Sequence, residues 1–203
     1  MSAVDEAGFW DVIDESYAAL ECGYYDEDSP AAAVAVAWRE GLAGRPLPEL
    51  VEFGVHFERM LERAWTPAVW AAACLLAGGG ADEWHAHFDL DDRFADFRAS
   101  LVALGRESFE VVLADPDALA GLPDADAVER GDWDFFMRLR SAPAEIHARA
   151  GGDRDGFARA VAQRLGGRPR RGGPGQDGPW QIDEHSLPGR LPRLAARFPE
   201  SAL

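Results

Sequence analysis

The residues best placed to do chemistry lie between positions 83 and 91. Glu83, His85, His87, Asp89 and Asp91 alternate with Trp84, Ala86, Phe88 and Leu90. In an extended chain, side chains two apart share a face. One face then carries two imidazoles and three carboxylates, ligand types that zinc or another divalent ion can use. The candidate metal ligands are therefore His85, His87 and Asp89. The same pattern describes a solvated polar face over buried Trp84, Phe88 and Leu90, and this is the preferred reading. A built site needs ligands from elsewhere, and the chain has no His-Glu-x-x-His motif. If the segment is helical instead, His85 and His87 stand about 200° apart and the metal idea fails.

A second group is Asp92, Arg98 and Arg106, with Asp91, Asp115 and Asp117 near in sequence. Guanidinium forks suit a carboxylate or phosphate. The competing explanation is ion pairing within and between helices, with arginine stems covering apolar surface. If any polar cluster binds a ligand or partner, the bet falls on Asp92, Arg98 and Arg106.

Other chemistry is poorly supported. Cys22 and Cys74 form no Cys-x-x-Cys pair, and Cys74 sits in an apolar helix where a thiol is inert. No serine stands in a Gly-x-Ser-x-Gly elbow. Gly78-Gly79-Gly80 is followed by Ala-Asp-Glu, so it reads as a helix end rather than a phosphate loop. Asp14 with Glu15, and Glu58 with Glu62, read as solvated helix faces. The cluster Arg168, Arg170 and Arg171 reads as part of a linker. No catalytic residue is identified, and the sequence asks for no cofactor. Most of the seven tryptophans should be core anchors.

The elements that hold these residues read as helices. Phe9, Trp10, Ile13, Tyr17 and Leu20 fall at helical spacing after Asp5 and Glu6. Ser29-Pro30 pairs a hydroxyl cap with proline at the first helical position, and the helix runs to about Leu42. Pro46 to Pro48 open a third helix through Ala64. Thr66-Pro67 repeats the cap signal ahead of the all-apolar stretch Ala68 to Ala77, expected to be buried on every side. Phe94, Phe97, Leu101 and Leu104 form another stripe, with a break at Gly105. A helix from Arg106 to Ala114 follows. Residues 126–150 read as helix interrupted at Gly131 and Pro143, and 155–165 as one more. Residues 166–180 form a Gly/Pro/Arg-rich linker. The last stretch, with Trp180, Ile182, Leu187, Leu191, Leu194 and Phe198, is expected to pack back as a short helical tail.

Composition bounds the rest. The chain has 203 residues, 36 acidic and 20 basic, for a net charge of −16. Every basic residue is arginine. Residues 1–136 carry net −21 and residues 137–203 net +5. A body this acidic repels phosphate backbones, which weighs against nucleic acid. The longest apolar run, ten residues, is too short to span a bilayer. The N-terminus carries no secretory pattern, so a cytoplasmic location is expected.

Asp91 to Ala120 (Asp-Asp-Arg-Phe-Ala-Asp-Phe-Arg and onward) resembles the core block of a bacterial family, domain-of-unknown-function family 4240. Phe9 to Asp14, Trp70 to Gly80 and Leu191 to Phe198 are similar to its other blocks. Residues 81–90 and 151–165 look like additions, and Ser100 stands where the family usually has an aromatic. The resemblance implies a mainly helical fold and no activity.

The expectation is therefore one all-α domain over residues 1–150. An extra helix, linker and docked tail occupy 151–203, and a short extended segment is possible near 83–91. The expected function is an acidic protein-binding module without catalysis, its partner another protein, with a basic protein as one specific version. The alternative is a metal-dependent or small-ligand enzyme built on His85, His87 and Asp89, or on Asp92, Arg98 and Arg106.

Overall fold

A computed structural model describes residues 4–21, 29–77, 90–122, 134–135, 137–167 and 186–199. All regular structure among them is helical. In chain order the helices are α1 (Glu6–Glu21), α2 (Pro30–Gly41), α3 (Leu47–Arg63), α4 (Pro67–Leu76), α5 (Leu90–Ala103) and α6 (Arg106–Ala114). A 3-10 segment, Pro116–Gly121, comes next. Then follow α7 (Ala142–Arg149), α8 (Arg154–Leu165), α9 (Leu187–Arg190) and α10 (Pro192–Arg197).

Local signals set the starts. The Ser29 hydroxyl accepts from the Ala32 amide at 3.3 Å, and the Thr66 hydroxyl from the Val69 amide at 3.2 Å. In both helices proline follows the cap, where its missing N–H leaves no bond unmade. Gly105 separates α5 from α6 with φ +88, a conformation that favours glycine.

The central helix is α3. It packs on α1, α5, α7 and α8. One side carries the aromatic core: Phe53 meets Phe9 at 5.1 Å and Trp38 at 6.0 Å, and Phe57 meets Trp38 at 5.5 Å. Trp10 extends this chain to Phe109 of α6 at 5.4 Å. Edge-to-face and tilted pairs such as these add specificity to a buried core. The other side of α3 presents Val51 and Val55 to Phe157 and Val161 of α8, a second small cluster. The apolar stretch at α4 is not buried on every side: Val69 and Ala71 to Leu75 are buried, while Ala68, Trp70, Leu76 and Ala77 are half-buried.

Further expectations need correction. Residues 137–139 are not helical. The Met137 amide donates instead to the Ser100 hydroxyl at 2.9 Å, and buried Met137 and Leu139 pin this stretch to the core. Pro143 does not interrupt a helix. It sits in the first turn of α7, the part of a helix that tolerates proline. At the end of the alternating segment, Leu90 and Asp91 already belong to α5 rather than to an extended chain. The rest of that segment, residues 83–89, lies outside the described residues, as do 126–133, the linker from Arg168, Trp180 and Ile182.

The tail does pack back. Leu187, Leu191 and Leu194 are buried in the main core, and Phe198 stacks edge-on against Phe135 at 5.9 Å.

Candidate functional site

The structure separates the sequence-derived candidates. His85, His87 and Asp89 lie outside the described residues. Asp92 is in α5, but its side chain is also outside them. Among the described residues, no three His, Cys, Asp or Glu side chains are grouped to hold a metal ion.

Arg98 is buried, at 3% exposure. It projects from α5 to the last turn of α3, where Nη1 donates to the Leu61 carbonyl at 2.8 Å. Around it the Ala64 amide bonds to Met60 O and the Trp65 amide to Glu62 O. Arg98 thus satisfies a carbonyl of the last turn, the end of a helix where positive charge is favoured. Its guanidinium also lies 4.7 Å from the Phe94 ring centroid. Burial pushes its pKa down to about 10, opposed by the charges of Glu58 and Glu62 and reinforced by Arg140. The group is still cationic at neutral pH.

Arg106 is exposed, and its backbone carries the structural role. Its amide donates to Asp14 Oδ1 of α1 at 2.7 Å. Gly105 has no side chain to cap α6, so Asp14 supplies the cap from another helix. The Arg98 side chain and the Arg106 backbone amide therefore serve different helix ends. Beside them, Arg63 at the end of α3 grips Glu110 of α6 with two bonds, 2.8 and 2.7 Å. This fork raises the pKa of Arg63, and it lowers that of Glu110.

The strongest polar constellation was not singled out from sequence. Asp117 is buried in the 3-10 segment. Its carboxylate accepts from the amides of Leu194 (2.9 Å) and Arg193 (3.2 Å) and from Arg193 Nε (3.0 Å). Arg193 Nη2 also pairs with Asp115. One turn on, Arg197 Nη1 donates to the carbonyls of Ala120 (2.8 Å) and Leu119 (3.4 Å). Two arginines four apart thus hold both ends of the 3-10 segment. Burial raises the pKa of Asp117, but the bonds from Leu194 and Arg193 outweigh it and hold the carboxyl below its usual range. The available signal was Asp-Pro-Asp at 115–117, a capping sequence, opposite Arg193 and Arg197 at helical spacing.

A family model described as a protein of unknown function, DUF4240, matches residues 4–149. The chain belongs to the DUF4240 family. No curated protein matches it, and no solved structure matches it. The DUF4240 match contains Asp14, Arg98, Arg106, Asp115 and Asp117, but it stops short of α8 and of Arg193 and Arg197. In this DUF4240 chain Ser100 is buried. It donates to the Asp96 carbonyl at 3.1 Å while accepting from Met137. Cys74 is buried, and desolvation pushes its thiol up to about 12, so it stays protonated. No helix among the described residues is long and apolar enough to cross a membrane.

Acid is concentrated on the outer face of α1, while arginines such as Arg59, Arg93 and Arg138 are exposed elsewhere on the surface. On α1, Glu6, Asp11, Asp14 and Glu15 are exposed, and the helix contains no basic residue. Phe9, Trp10, Val12 and Ile13 fill its inner face.

Proposed function

We propose that this DUF4240 chain is a non-catalytic protein-binding module of the cytoplasm whose partner presents a basic surface. The observation that carries this reading is the exposed face of α1, where Glu6, Asp11, Asp14 and Glu15 stand without any basic residue in the helix. The net −21 of residues 1–136 extends the same field over the body. Complementary charge steers a basic partner to such a face and disfavours nucleic acid. The alternative built on Asp92, Arg98 and Arg106 gains no support from Arg98, whose guanidinium is engaged by a backbone carbonyl and an aromatic ring.

The test is purification of the tagged chain from its native host at low and moderate salt. Co-purifying protein, nucleic acid and metal are assayed together. The expected result is one stoichiometric basic protein that is released as salt rises. It should be lost in an Asp11→Arg/Glu15→Arg variant whose helical content is unchanged. Capture that survives the charge reversal overturns the reading. So does a preparation with no protein partner and near-stoichiometric divalent metal.

A further inference from the structure

The tail sits on the body in the manner of a bound peptide. Leu187, Leu191, Leu194 and Phe198 fall at i, i+4, i+7 and i+11, the spacing of helix-in-groove anchors. Leu191 and Leu194 are 2% and 0% exposed. The main neighbours of α9 and α10 are α4 and the 3-10 segment. Helices of four and six residues are not stable alone in water, so these form with their docking surface. The surface supplies what α10 lacks: Asp117 caps its N-terminus in trans. Residues 186–199 contain three arginines and no acid, matching the charge of the body. Eighteen residues, 168–185, connect them to what precedes, and five of the first eight are Gly or Pro.

We propose that Asp115–Ala120, α4 and Phe135 form a docking groove that reads a short basic helical peptide, Leu-Pro-Arg-Leu-x-x-Arg-Phe, and that residues 186–199 are its exchangeable cis occupant. Asp115 and Asp117 read the first arginine and the helix N-terminus. The Leu119 and Ala120 carbonyls read the second arginine. The apolar stripe supplies the area. Tethering raises the local concentration of the tail to roughly millimolar, so a competing peptide binds only when the tail is cut loose or outcompeted. The inference goes beyond the α1 reading and does not depend on it.

The test uses the full chain with a protease site inserted between Gly173 and Pro174, so that both pieces remain present after cleavage. The probe is a fluorescent synthetic peptide of residues 186–199. It should bind the cut chain at one site and not the uncut chain. A Leu194→Ala peptide should bind at least about tenfold more weakly, because a fully buried leucine is truncated. Loss of helical structure on cleavage would overturn the proposal and make the tail part of an indivisible core. Absence of exchange with the labelled peptide would overturn it too. A stable tail-exchanged dimer of the uncut chain would overturn the cis occupancy. A second measurement avoids the cut: in full-length Asp117→Asn, amide exchange should accelerate in residues 187–197 while α1 and α3 stay protected. Uniform acceleration would refute a separable strap. A partner still captured through α1 when the peptide fails to bind would leave the first reading standing and sink this one.

Discussion

The carboxylate of Asp117 accepts the Leu194 amide at 2.9 Å, across 77 positions of sequence. It caps a helix that it is not part of. Removing the carboxylate in Asp117→Ala leaves the Arg193 and Leu194 amides without that acceptor. The cost should be about 1–3 kcal/mol, read from urea unfolding of the full chain.

The same bond makes stability depend on pH. The folded Asp117 carboxyl titrates below its ordinary range. A depressed acid contributes stability that is present above the unfolded pKa, about 3.9, and is lost as pH falls through the folded value. Wild type should therefore exceed Asp117→Asn in thermal midpoint at pH 7. The difference should close as pH drops below about 4. Parallel curves down to acid pH would show that the charge of Asp117 does not hold the tail.

Asp14 and Gly105 form a second cross-chain cap. A Cβ at position 105 would lie 2.8 Å from Asp14 Oδ1, and φ there is +88. Gly105→Ala should cost about 1–3 kcal/mol from backbone strain and displacement of the cap. Asp14→Ala should cost about 1 kcal/mol by the loss of the cap alone. The double variant should cost less than the sum, because the two changes disturb one contact. Additive losses in denaturant melts would show that the two residues are energetically independent.

These caps explain what was legible in the sequence and what was not. Starts such as Ser29-Pro30 and Thr66-Pro67 carry their capping atom and proline within four residues, so local pattern finds them. Core stripes such as Phe94, Phe97 and Leu101 are likewise periodic. Asp14, Arg98 and Asp117 cap helices from 37 to 92 positions away. Spacing along one helix cannot announce such a partner. Nearness in sequence groups Arg98 with Arg106, whereas the Arg98 side chain and the Arg106 amide meet different helix ends. The non-helical stretch at 137–139 is hidden from local pattern for the same reason: its competing acceptor is Ser100, 37 residues earlier.

Arg98 separates a structural cation from a ligand reader. Its stem is buried and its guanidinium holds Leu61 O. Arg98→Ala removes that volume and leaves the carbonyl unpaired, so it should cost about 2–4 kcal/mol. Arg98→Met keeps the stem and removes a buried charge. It should cost less than Arg98→Ala, because the stem stays packed and a penalised charge is gone, although the Leu61 carbonyl is unpaired in both variants. Urea unfolding distinguishes the cases. A ligand reader with no structural role would leave both variants as stable as wild type.

Gly54 lies in the middle of α3, where glycine costs helix stability. Replacing it with alanine should gain about 1 kcal/mol from the backbone. The contact with α8 opposes this. A Cβ there would overlap the Phe157 ring and approach Val161 Cγ2 at 3.3 Å. Overpacking of this kind costs about 1–3 kcal/mol, so the net effect should be destabilising. Gly54→Ala/Phe157→Leu relieves the clash and should recover stability relative to Gly54→Ala, although Phe157→Leu alone removes core contact. A thermal midpoint that rises in Gly54→Ala would mean that α3 and α8 can separate without loss. The close approach of the two helices would then not be what keeps glycine at this position.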